Sequence, residues 1–262
     1  MVVRILQITD LHILAQPDQT LLGVDTGRSF SDVLQKARRE QSDVRLVLLT
    51  GDLAQDPVVE TYTRLRGWLQ TSGWEYYCLP GNHDDPALMA ASLCGSRVHY
   101  QQQILLDHWQ IICLDSSVRG SPGGFLAEAQ LDYLEACLSR YPGHHALVAL
   151  HHHPILTGSA WLDTMVLGNK DSFMVLLQRF PQVRVVLSGH VHQCMSLDRN
   201  GVRFLATPAT CFQFKPHTEA FALDEKPPGY RWLELGDEGS FTTGVERLDD
   251  LPQGLDRASP GY

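Results

Sequence analysis

Five short segments of this chain carry side chains that can bind metal ions or move protons. They are Thr9-Asp10-Leu11-His12, Thr50-Gly51-Asp52-Leu53, Pro80-Gly81-Asn82-His83-Asp84, His151-His152-His153-Pro154 and Ser188-Gly189-His190-Val191-His192. Together they offer two carboxylates, a carboxamide and several imidazoles, with no thiolate. A mixed oxygen and nitrogen set of this kind suits Mn²⁺, Fe or Zn²⁺ better than a soft metal, and holds too much imidazole for Ca²⁺. The donors outnumber what one ion can bind. Two ions about 3.5–4 Å apart, bridged by one carboxylate, would use them all.

Each segment begins where an apolar run ends. Residues 2–8, 44–49, 76–79, 110–114, 146–150 and 183–187 are rich in Val, Ile and Leu and read as strands buried on both faces. Helical patterns lie between them, over 30–40, 57–70, 128–140 and 170–179. A further helix begins at Pro86, with Asp85 as its cap, and Asn169 is the expected cap of the 170–179 helix. Alternating strands and helices imply a layered α/β fold with the helices outside. Such sheets present functional groups beyond the carboxyl ends of their strands, so five segments remote in sequence can meet on one rim. Gly51, Gly81 and Gly189 are expected to permit tight strand-to-loop turns and close backbone approach to the ions. Past Val202 the pattern changes: strands are expected over 203–206, 230–235 and 241–247, antiparallel and completing a second sheet, with a loosely ordered tail from about 252.

The 262 residues are read as a single domain, 1–262. With 44% hydrophobic and 19% charged residues the composition is that of an ordinary globular protein. No apolar run approaches the roughly 20 residues of a membrane span, and Met1-Val-Val-Arg4 enters the first strand without a leader, so a cytoplasmic location is expected. The six scattered cysteines fit free thiols in a reducing compartment. A net charge of −9 argues against long nucleic acid as a partner. It leaves open a small anion, because bound metal reverses the local field.

The pattern D-x-H, G-D, G-N-H-D, H, G-H-x-H, in order from Asp10 to His192, resembles the calcineurin-like metallophosphoesterases. That resemblance implies a four-layer α/β/β/α sandwich of two packed mixed sheets flanked by helices. It implies two divalent ions, Fe or Mn with Zn as a further option. By resemblance Asp10, His12 and His192 hold one ion, Asn82, His151 and His190 the other, and Asp52 bridges both. His151 is preferred over the adjacent His152 as the first position after its strand. His83 resembles the family histidine that binds no metal and acts on substrate, here as general acid. With it, His12, Asp52, Asn82, His151 and His192 would contact substrate. Water between two such ions has a lowered pKa and is a ready nucleophile toward phosphorus, and a protonated His83 would assist departure of an alkoxide. Asp84, next in sequence, is expected to orient the His83 ring.

Residues 5–12, 21–24, 51–56, 158–163 and 206–217, with the closing Gly261-Tyr262, look like the bacterial class III cyclic-nucleotide phosphodiesterases almost end to end. This implies hydrolysis of 3′,5′-cyclic AMP to 5′-AMP by a monomer or homodimer whose partner is a small cyclic nucleotide. The competing readings are hydrolysis of a glycerophosphodiester or a 2′,3′-cyclic nucleotide, a phosphomonoesterase, and a scaffold without activity. Monoesterases recruit extra cationic side chains, for which Arg119 and Lys170 are weak candidates, and a dead scaffold should have lost ligands that are intact here. His99, His108, His144, His145 and His217 fall outside any ligand pattern and are read as ordinary loop residues. Asp56, Asp84 and Asp115 are read as caps or supporting partners rather than ligands. Trp161 is placed where an aromatic ring could flank a base.

Overall fold

The computed structural model describes residues 2–261; Tyr262 lies outside them. Its first sheet has the order β12-β11-β1-β2-β3-β4, from Phe241–Arg247, Gly229–Gly236, Val2–Ile8, Val44–Thr50, Tyr76–Leu79 and Val98–His99. Its second sheet has the order β5-β6-β7-β8-β10-β9, from Gln103–Leu105, Trp109–Cys113, His145–Ala149, Val183–Ser188, Val202–Ala206 and Met195–Arg199. Helices α1 (Thr26–Glu40) and α2 (Val59–Gln70) pack on the first sheet, and α4 (Glu128–Arg140) and α6 (Lys170–Gln178) on the second. A short α3 (Pro86–Leu88) runs into a π-turn over Met89–Leu93, and α5 (Ala160–Asp163) follows the triple histidine. The result is the α/β/β/α sandwich. No helix among the described residues is long and apolar enough to cross a membrane.

The continuous apolar runs follow from burial on both faces. In β2, Leu46 and Leu48 point into the seam between the sheets while Val47 and Leu49 face α1 and α2. β7 repeats this, with Leu147 and Ala149 in the seam and Ala146 and Val148 under α4 and α6. The central strands are parallel, β1 with β2, β2 with β3, β6 with β7 and β7 with β8, so their carboxyl ends lie on one rim.

The structure differs from the sequence reading at the C-terminal end. Of the strands past Val202 only β10 joins the second sheet, and it is parallel to β8; β11 extends the first sheet antiparallel to β1, and β12 pairs antiparallel with β11 at its edge. Alternation alone cannot tell a strand which of two sheets has the free edge. The β9 edge strand escaped notice because most of it is exposed and polar. The segment after Pro252 is pinned, with Asp256 N–H donating to Leu22 O at 2.9 Å and Arg257 paired with Glu225. Asp85 caps α3 as expected, accepting from Ala87 and Leu88 N–H. Asn169 stands at the start of α6 without capping it; its amide exchanges hydrogen bonds with the Leu126 backbone instead.

A buried polar chain ties the sheets together beneath the rim. Gln7 of β1 donates to Thr50 Oγ1 (2.9 Å) and to Ser188 O of the other sheet (3.0 Å). It accepts from Thr207 Oγ1 (2.5 Å), which in turn accepts from the buried Arg231 guanidinium (3.0 Å). Buried polar groups left without partners cost about 1–3 kcal/mol each. Gln7→Leu should therefore lower the unfolding free energy by about 2–4 kcal/mol in urea titration with the fold retained; an unchanged midpoint would show the chain to be dispensable.

Candidate metal centre

All five motif segments reach the same rim. The backbone first extends the sheet pairing past the strand ends. Asp10 N–H donates to Gly51 O (3.1 Å), His12 N–H to Asp52 O (2.9 Å) and Gly189 N–H to His151 O (3.0 Å). Asp10, His12, Asp52, His190 and His192 all have positive φ, between 47° and 67°. Left-handed backbone disfavours non-glycine residues, and its concentration at a site marks a geometry imposed by the surroundings. Here it turns side chains two and four residues past the strand to the same side, while Leu11 and Val191 between them are buried in apolar clusters.

At two of the three glycines it is close packing, and not a left-handed turn, that requires the residue. Gly51 has a positive φ of 94°. Gly81 and Gly189 do not need left-handed freedom; they need no side chain. A Cβ on Gly81 would overlap Asp52 Oδ1, and one on Gly189 would overlap Thr9 Oγ1.

Hydrogen bonds then orient the imidazoles. His12 Nδ1 meets Gln55 Oε1 at 2.8 Å, His151 Nδ1 meets Thr50 O at 2.9 Å, and His192 Nδ1 meets Phe212 O at 2.9 Å. Each partner oxygen can only accept, so each Nδ1 carries the proton and, in the neutral ring, each Nε2 presents a lone pair. These lone pairs converge. His12 Nε2 and His192 Nε2 are 3.2 Å apart, His192 Nε2 is 3.4 Å from Asp10 Oδ1, and His151 Nε2 is 3.1 Å from Asp52 Oδ2. Asp52 Oδ1 accepts from His83 N–H (2.9 Å), leaving Oδ2 between His151 and His12, whose Nε2 lies 3.8 Å away. Asn82 Oδ1 and the Nε2 atoms of His151 and His190 are buried without a hydrogen-bond partner. Facing acceptors in a buried site repel one another unless cations stand between them. The donor set therefore fits metal ions.

Protonation offers an incomplete substitute. Burial opposes charge on His151, yet the Asp52 carboxylate overrides it and holds the imidazole up at about 9. Burial pushes His12 down to about 3 and His190 well below the ordinary histidine range, so these rings stay neutral. Cys211 also approaches His12 and His192, but burial raises its thiol well above the ordinary range and its Sγ donates to Asp10 O at 3.3 Å. It offers no thiolate.

His151 and His152 both belong to the cluster, with ring centroids 5.0 Å apart. His151 faces the two carboxylates, at 3.1 Å from Asp52 and 4.0 Å from Asp10, whereas His152 Nδ1 meets Ser116 Oγ at 2.8 Å. His83 stands edge-on to His12, centroids 5.0 Å apart, half-buried, with a ring nitrogen in the same donor group as His12 and Asp52. Asp84 does something other than the ring orientation expected of it. Its carboxylate accepts from the N–H groups of Gly81, Leu53 and Ala54 and from the Tyr62 hydroxyl, locking the loops of Asp52 and of Asn82-His83 to each other. Asp56 accepts from Ala15 N–H and Asp115 closes a turn on Ser117, the supporting roles expected of them. Nothing in the sequence distinguishes Gln55, and only the fold places it on His12.

Beside the donors a cavity of about 560 Å³ opens between Asn82, His83 and His190 on one side and Trp161, Phe214 and Phe221 on the other. Neither Arg119 nor Lys170 lines it, and no Lys or Arg among the described residues does.

The profile of the family described as calcineurin-like phosphoesterase matches residues 3–194. The chain is 44% identical over 261 residues, 99% of this chain and 95% of the other, to the 3′,5′-cyclic adenosine monophosphate phosphodiesterase CpdA of Escherichia coli (strain K12). It is 38% identical over 260 residues to the protein of the same name from Pseudomonas aeruginosa, covering 99% and 95%. Among solved structures, the purple acid phosphatase PPD1 of yellow lupin superposes with a TM-score of 0.65 at 14% identity, over 94% of this chain and 52% of that one. That likeness concerns the fold.

The Gln55 contact leads to a specific expectation. Gln55→Ala should weaken metal binding at the His12 position by about 10–100-fold, the usual effect of removing a partner behind a ligating histidine. Metal analysis after dialysis against graded chelator should show one ion lost early and the other retained; simultaneous loss of both, or of neither, would contradict this.

Proposed function

The chain belongs to the calcineurin-like phosphoesterase family, and from that premise we propose that it is a dinuclear-metal phosphodiesterase that hydrolyses 3′,5′-cyclic AMP to 5′-AMP. The observation that supports the metal chemistry is Asp52 Oδ2, set between the Nε2 atoms of His151 (3.1 Å) and His12 (3.8 Å). The substrate rests on the named activity of relatives up to 44% identical over nearly the whole chain.

In this reading Asp10, His12 and His192 would hold one ion and Asn82, His151 and His190 the second, with Asp52 shared between them. Fe and Mn suit the donors best. When bound, the ions supply positive charge for the phosphate and lower the pKa of attacking water. The remaining work falls to the protein. Asn82 and His83 hold the ester at the mouth of the cavity. A protonated His83, on the cavity wall, gives its proton to the departing ribose oxygen, a step worth about 10²–10⁴-fold for a poor leaving group. A cavity that no Lys or Arg among the described residues lines suits a singly charged diester better than a dianionic monoester, whose second charge would need further compensation.

The direct test is turnover by protein reloaded with Mn²⁺ or Fe²⁺, comparing 3′,5′-cyclic AMP with 2′,3′-cyclic AMP, 3′,5′-cyclic GMP and an aryl phosphodiester. Preferred conversion of 3′,5′-cyclic AMP to 5′-AMP is expected; activity confined to the aryl diester would overturn the substrate and leave the metal chemistry standing. His83→Ala should retain both ions and lose about 10²–10⁴-fold on cyclic AMP but far less on the aryl diester, whose leaving group needs no proton. Equal losses would remove His83 as the acid. Asp52→Ala should empty or scramble both metal positions by elemental analysis, and full occupancy would exclude it as the bridge.

A further inference from the structure

The far wall of the cavity has a composition that phosphate chemistry does not require. Trp161, Phe214 and Phe221 meet edge to face, with centroid separations of 5.0 Å (Trp161 to Phe214), 5.3 Å (Trp161 to Phe221) and 5.6 Å (Phe214 to Phe221). Phe214 stacks on His192 at 4.1 Å and 12°, so the aromatic group runs without a gap from a candidate metal ligand to the cavity. Met165 lies beside Trp161 on the same wall. A Trp and a Met kept half-buried on an open cavity forgo burial that a packed core would give them, which marks an apolar contact surface.

The wall is also held still. Trp161 Nε1 donates to Thr218 Oγ1 at 3.2 Å, and Ala160 N–H to Thr218 O at 3.0 Å. On the other side of α5, the Asp163 carboxylate accepts from Thr157 N–H (2.7 Å), Thr157 Oγ1 (2.9 Å) and Gly158 N–H (3.0 Å). A surface fixed in advance loses little freedom when a ligand settles on it. The cavity, about 560 Å³, lies within the range of small-molecule sites and spans from phosphate-handling groups to this wall. A ligand filling both ends carries a phosphoester at one and a flat apolar ring at the other.

We propose that Trp161, with Met165 and Phe221 beside it, is the platform on which the nucleobase of the substrate stacks while its phosphate lies at Asn82, His83 and His190. This rests on the cyclic-nucleotide reading above and assigns the half of the substrate that the metal centre does not touch. Base-on-aromatic stacking is worth about 1–3 kcal/mol per base, which corresponds to roughly five- to a hundredfold in affinity.

The test uses product-side ligands that differ only in the base. Binding of 5′-AMP and of ribose 5-phosphate to the metal-loaded protein is measured by titration calorimetry for wild type, Trp161→Leu and Trp161→Phe, with KM for 3′,5′-cyclic AMP determined alongside. Wild type should favour 5′-AMP by at least tenfold. Trp161→Leu keeps apolar volume without a π-face and should shrink that preference by roughly five- to a hundredfold and raise KM to match, while Trp161→Phe should keep most of both. A preference that survives Trp161→Leu overturns the platform. Should that variant not fold, tryptophan fluorescence of the wild type decides: quenching by 5′-AMP but not by ribose 5-phosphate supports the platform, and equal response to both overturns it. If wild type fails to turn over cyclic AMP yet shows a Trp161-dependent preference for 5′-AMP, the substrate reading falls and the base subsite stands.

Discussion

Everything functional in this protein depends on holding lone pairs against lone pairs. Three imidazoles are committed by their Nδ1 hydrogen bonds to present Nε2 inward, where they meet two carboxylates and one another at 3.1–3.4 Å. No arrangement of neutral histidines and ionised aspartates is stable there alone. One raised histidine, His151, removes part of the repulsion, but burial keeps His12 and His190 uncharged. The structure is thus complementary to bound cations, and its rim loops are built around charge that the ions bring.

Such complementarity has to be enforced by rigid surroundings. The sandwich does so in three ways. Backbone bonds carry the parallel pairing beyond the strand ends, so the loops of Asp10, His12 and Asp52 are continuations of β1 and β2. Left-handed residues turn the ligands to one side at a local energetic cost that the sheet absorbs. Asp84, half-buried and gripping three backbone N–H groups and a phenol, fastens the Asp52 loop to the one bearing Asn82 and His83. Below, the chain from Arg231 through Thr207 and Gln7 to Ser188 joins the two sheets whose strands supply the two halves of the ligand set.

The site has two chemically different ends. One is a cluster of hard donors for ions and anionic oxygen; the other is an aromatic wall held by Thr218 and Asp163. Among the described residues no Lys or Arg lines the cavity. A ligand with a phosphodiester and a planar base meets both ends at once.

Several of these features were legible before any coordinates. Asp10, His12, Asp52, Asn82, His83, His151, His190 and His192 stand directly after apolar strand-like runs, and strand ends of a parallel sheet share a rim, so their convergence followed from local pattern and chain chirality. The longer helices α1, α2, α4 and α6 and the central strands were equally readable, the strands because burial on two faces leaves an unbroken apolar run; the four-residue α5 was not. Other features were decided only by tertiary structure. Which sheet receives β11 and β12 depends on where a free edge remains, a property of the whole fold. Gly81 and Gly189 are required by Asp52 and Thr9, partners 29 and 180 residues away along the chain, and local turn geometry gives no sign of it. Gln55 gains its role from one contact with His12, and Asp84 from the loops it joins. Residue type and spacing reveal which groups can ligate; which neighbour orients each of them is a matter of distance in space, and only the folded chain determines it.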